Sequence, residues 1–97
     1  MKTQEFINKL SDELKTELSF RQNPNYPEMG MVFFSGVQVC SAPMNEIYDE
    51  VKPEYGVMLR DKLVLHPNKE QVRGRIISFI HRWNTESGFK ELMTEAL

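Results

Sequence analysis

The sequence predicts an α+β fold: a small antiparallel sheet of three or four strands with helices packed mainly on one face, in the order α-β-β-α-β-β-α-α. Three observations lead there. Apolar residues recur at helical spacing towards both ends of the chain, over residues 3–20 and again over 68–84. The middle carries short runs rich in β-branched and aromatic residues, bounded by glycine, proline and asparagine. Hydrophobic residues make up 40% of the 97 residues, enough for one modest core, so residues 1–97 read as a single compact domain.

Residues 3–20 read as the first helix. Phe6, Ile7, Leu10, Leu14 and Leu18 make one apolar arc, and Thr3 is placed to cap it. Residues 21–30 read as a loop, because RQNPNYPEMG holds two prolines, two asparagines and a terminal glycine. Residues 31–41 read as a hairpin turning at Ser35 and Gly36, or as one strand bulged at Gly36. Val37 and Val39 are expected to face one way, Gln38 and Cys40 the other.

Residues 42–52 read as a short helix. Met44, Ile47, Tyr48 and Val51 sit at i, i+3, i+4 and i+7, Ser41 can cap, Pro43 suits the first turn and Pro53 closes it. Residues 55–66 read as two short strands around Arg60 and Asp61. Residues 68–84 carry the strongest start signal: Asn68 as cap with Gln71 three residues later completes a capping-box pattern. Residues 85–97 hold a last short helix, with Phe89, Leu92, Met93 and Ala96 as its apolar face and Ser87 as its cap. The helices at 3–20 and 68–84 are expected to supply most of the core, faced from the sheet by Phe33, Val37, Val39 and Leu63.

The net charge of −2 gives no global attraction to nucleic acid or an anionic membrane, so such binding would need a local patch. No segment approaches the ~20 apolar residues of a membrane span, and the first residues lack a signal-peptide apolar run. Cytoplasm is therefore the default compartment. A single cysteine, Cys40, excludes an internal disulfide and a multi-cysteine zinc site.

Chemistry is sparse. Cys40 in a strand, between Val39 and Ser41, has no helix N-terminus or nucleophile elbow to activate it, so a buried structural thiol is the expected state. His66 and His81 are fifteen residues apart with no metal-binding motif. No glycine-rich phosphate loop and no singled-out carboxylate pair are present. The expectation is a non-enzyme without metal or cofactor; a small enzyme using Cys40 or a histidine ranks last.

The helix at 68–84 is more informative. At 100° per residue Val72, Ile76, Phe79, Ile80 and Trp83 fall on one face, while Gln71, Arg75, Ser78 and Arg82 line a flank. Gly74, Ser78 and His81 lie on the far side, leaving a small-residue notch bordered by two arginines. Arginine forks suit carboxylates and phosphates; the plainer alternatives are a solvated helix face or packing under the last helix. Between positions 60 and 82 six basic residues face only Asp61 and Glu70, whereas between 46 and 54 four carboxylates face only Lys52. This bipolarity fits either a two-signed binding surface or internal ion pairing.

The leading reading is a small non-catalytic protein-interaction or assembly module that binds another protein or a second copy of itself. Its candidate binding residues are Lys62, Lys69, Arg73, Arg75, Ser78, His81 and Arg82. The alternative is a nucleic-acid-binding accessory protein using the basic 60–82 region. A helix–strands–helix order is compatible with double-stranded-RNA-binding topology, but this chain lacks that family's motif residues. Nucleic acid is the less favoured partner because the basic residues spread around the helix and its aromatics point inwards.

Overall fold

The computed structural model describes residues 1–95. It is α+β, with three α-helices, a three-stranded antiparallel sheet and a separate two-stranded one. The general order agrees with expectation: a helix, strands, a helical turn, two further strands and two helices. The elements are α1 (Thr3–Leu14), β1 (Leu18–Gln22), β2 (Met29–Phe34), β3 (Val37–Pro43), a 3₁₀ turn (Pro53–Tyr55), β4 (Val57–Leu59), β5 (Lys62–Val64), α2 (Lys69–Thr85) and α3 (Phe89–Glu95).

The first helix stops six residues earlier than its apolar spacing suggests. Lys15 adopts the left-handed conformation at φ 50° and ψ 43°, and its N–H donates to the Asp12 carbonyl while that of Thr16 donates to Ser11. This left-handed stop satisfies carbonyls that helix ends leave bare. The Ser11 hydroxyl locks the exit, donating to the Thr16 carbonyl at 2.7 Å and accepting from the Leu18 N–H at 3.3 Å. Leu18, Ser19 and Phe20 then alternate buried, exposed, buried as a strand. Leu18 stands four residues after Leu14, so one residue satisfied both periods and concealed the change. Thr3 does not cap α1: Lys2 occupies the cap position, and Thr3 is buried with its hydroxyl unpartnered.

The expected loop at 21–30 shortens to residues 23–28. The Asn23 carboxamide oxygen shapes it, accepting backbone N–H groups from Asn25 at 2.9 Å and Tyr26 at 3.3 Å. β1 pairs with β2 from Leu18–Phe34 to Gln22–Gly30. The turn between β2 and β3 falls at Ser35 and Gly36 as expected, with φ of 52° and 79°. Positive φ at both central positions gives the hairpin twist that its strands require.

β3 corrects the facing of its own residues. The pairing shifts between Val32 and Phe33, so that Phe33 meets Gln38 but Val32 meets Cys40. Val39 is the extra residue of a bulge, which moves every later side chain to the opposite face. Val37, Cys40 and Ala42 are therefore all buried, Cys40 and Ala42 within the main core cluster, while Val39 is half-buried at its margin. Phe33 lies on the other face of the sheet, beneath the Arg21 guanidinium at 4.3 Å.

Residues 42–52 are not a helix. Ala42 and Pro43 finish β3, and the following N–H groups are used elsewhere: Met44 donates to the Glu28 carbonyl, and Ile47 to that of Met1. Ile47 is fully buried through these contacts, so tertiary pairing overrides the local helical period. The helical turn comes later, at Pro53–Tyr55.

β4 and β5 pair antiparallel around Arg60 and Asp61, whose φ values are 49° and 65°. Leu63 does not face the helices; it is 50% exposed, beside Met58 at 61%. In α2 both halves of the capping box form. The Asn68 carboxamide oxygen accepts from the Gln71 N–H at 2.9 Å, and the Gln71 side chain accepts from the Asn68 N–H at 3.1 Å. α3 begins at Phe89, after Gly88 at φ 84°; the expected contribution of Ala96 lies outside the described residues.

Both long helices cover one face of the three-stranded sheet. Ile7 and Leu10 from α1 and Val72 and Ile76 from α2 close a buried cluster with Leu18, Phe20, Val32, Cys40 and Ala42. That arrangement positions the far flank of α2 beside β3, an edge strand of the sheet.

Candidate functional site

The buried stripe of α2 determines which residues remain outside. With Val72 and Ile76 fully buried, the helix rotates Gln71, Arg75, Ser78 and Arg82 towards the margin next to β3. There, Val39, Gln71, Gly74, Arg75, Ser78, Phe79 and Arg82 line a shallow groove of about 440 Å³. The floor comes from Phe79, whose ring packs edge-on against Phe34 and Phe89. The bulged Val39 supplies the facing wall.

The notch is open. A Cβ built on Gly74 would meet no heavy atom within 4 Å, and Ser78 is exposed. α3 packs elsewhere: Phe89 sits against Phe79, and Lys90 lies over Trp83 at 5.6 Å. Packing under the last helix therefore does not account for the glycine.

A second hollow of about 360 Å³ continues the first, sharing Gln71 and Arg75. It is walled by Met29 and Ser41 from the sheet and by Val51, Val64, Leu65, His66 and Pro67 from the segments before α2. Among the described residues no carboxylate lines either hollow.

The structure divides the candidate binding residues. Arg75, Ser78 and Arg82 come together in the groove; Lys62, Lys69, Arg73 and His81 do not line it. Arg73 donates to the Glu13 carboxylate of α1 at 2.6 Å, and Lys69 pairs with Asp49 at 3.0 Å. Arg82 is held by Glu86 at 3.0 Å and lies over the Phe89 ring at 4.2 Å. Among the described residues Arg75 has no ion pair. The bipolar charge is thus partly consumed internally, through Lys69 and Asp49.

No protein-family model, curated protein or solved structure matches this chain. The site rests on its own geometry.

Cys40 lies beneath the sheet margin, 8% exposed. Burial pushes its thiol up to about 11, against a smaller opposing pull from Arg75; a nucleophilic cysteine needs the reverse shift. His66 borders the second hollow, with Nε2 buried and unpartnered. Burial lowers its pKa from the usual histidine value. Among the described residues no three His, Cys, Asp or Glu gather as a metal set, and no helix is long and apolar enough to cross a membrane.

Sequence reasoning missed Val39, Ser41, Val51, Val64 and Leu65 as lining residues. Val39 and Ser41 reach the groove through the bulged β3, Val51 through the irregular segment after it, and Val64 and Leu65 from the end of β5; none of these leaves a periodic trace. The uncharged run VQVCSAP was the available signal, because free edge strands normally carry charge.

Proposed function

We propose that this chain is a small protein-interaction module acting by binding rather than catalysis, with another protein or a second copy as its partner. The observation that carries the reading is the open groove between β3 and α2, where Arg75 has no ion pair among the described residues and Gly74 faces open space. Folded domains rarely leave a mid-helix glycine facing solvent, since it costs about 1 kcal/mol relative to alanine. A partner that must approach the helix closely gives that glycine a use.

The buried, high-pKa state of Cys40 supports the non-catalytic part. Nucleic-acid binding is less well supported, because Arg73, Arg82 and Lys69 are engaged by Glu13, Glu86 and Asp49. Phosphate binding would have to displace these pairs.

Affinity capture with the native chain and with Ser78→Trp, which fills the groove from an exposed position, tests the reading. Capture by the native chain and loss with Ser78→Trp is the expected result. A monomeric native chain that captures nothing would refute it. So would an electrophoretic shift of duplex RNA or DNA that weakens steeply with salt and vanishes in Arg75→Ala.

A further inference from the structure

We infer that the groove accepts an extended, carboxylate-bearing peptide segment, which adds to the free edge of β3 as a fourth strand. This rests on the interaction reading above and specifies the chemistry of the partner.

The backbone comes first. Among the described residues β3 pairs only with β2, so every second residue turns its N–H and C=O away from the sheet. An edge of this kind is a template for another strand. The other edge, β1, carries the charge of Arg21; β3 reads VQVCSAP and carries none. Charge is the usual guard of a free edge, and its absence here coincides with open space beside Val39 and Ser41.

The dimensions agree. From Gln71 to Arg82 the helix rises roughly 16 Å at ~1.5 Å per residue. A strand crossing that length needs about five residues at ~3.3 Å each. Gly74 and Ser78 keep the helix low enough for side chains of such a strand to lie over it.

Charge selects the occupant. Arg82 is already held by Glu86, but Arg75 has no ion pair among the described residues, and no described carboxylate lines either hollow. In a two-fold contact through this groove the unpaired Arg75 of each copy would meet the same cationic surface. A strand with Asp or Glu facing α2 avoids that repulsion, and Arg75 can grip its carboxylate through two N–H groups.

The test is selection of a random octapeptide display library on the native chain, counter-selected on Ser78→Trp. The best peptide is then synthesised and followed by amide hydrogen exchange. The recovered peptides should alternate β-branched residues with Asp or Glu. The synthesised peptide should slow exchange at Val39 to Ser41, and Arg75→Ala should weaken it about ten-fold.

Recovery of peptides without acidic enrichment overturns the inference, as does protection confined to β4 and β5. So does dimerisation of the free chain through the same β3 amides. Failure to recover any peptide overturns it too. In each case the capture experiment still decides the interaction reading separately.

Discussion

Replacing Gly74 with alanine should stabilise this protein, whereas the same change at Gly30 should destabilise it. Gly74 lies inside α2 with a backbone that any residue adopts, and its added Cβ would meet nothing within 4 Å. The helix therefore gains the full propensity difference, about 1 kcal/mol, with no packing cost. Gly30 lies in β2 under the ring of Phe20. A methyl group there would overlap the ring, which is itself buried, and overpacking of this kind costs about 1–3 kcal/mol. Urea and thermal unfolding followed by circular dichroism measure both. A change of about 1 kcal/mol moves the melting temperature of a domain this size by about 4–8 °C, so opposite signs are easily separated. If Gly74→Ala destabilised the protein, something would already occupy the notch in the folded state. The groove would then not be open, and the binding argument built on it would fall.

Three further outcomes follow from the same geometry. Asn68→Ala should cost about 1–2 kcal/mol in urea unfolding, because it removes the capping box and a 2.9 Å bond to the Asp49 carbonyl; a change below a few tenths would contradict the cap. Cys40, with its thiol pushed up to about 11 by burial, should react with a disulfide reagent at pH 8 far more slowly in the folded protein than in urea, and equal rates would show it accessible. His66 has a lowered folded pKa through burial, so the unfolded chain binds its proton more tightly. Stability from this group is fully present above about pH 6.5 and is lost as pH falls from there through the lower folded pKa. His66→Gln should flatten that part of the stability–pH curve, and an unchanged slope would assign it to other groups.

Much of the fold was legible where signals were local. The capping box at Asn68 and Gln71 was readable because a cap involves only three consecutive intervals of backbone. The turn at Ser35 and Gly36 was readable for the same reason, as were two short strands around Arg60 and Asp61, whose pairing with each other only the structure showed. Errors arose where two periods shared residues, as at Leu14 and Leu18, or where distant backbone groups claimed local hydrogen bonds, as Met1 and Glu28 do for residues 44–47. The candidate site was half legible. Helical geometry alone placed Arg75, Ser78 and Arg82 on one flank with Gly74 beside it.

The sequence by itself thus determined the α+β class, the start of α2, its buried stripe and its small-residue notch, since each depends on spacing within one segment. Only the tertiary structure decided that the notch stays open and that Arg73 and Lys69 are already paired. It also decided that a bulged, unpaired strand runs alongside. Those properties depend on which surfaces meet, and no single segment's periodicity contains that information.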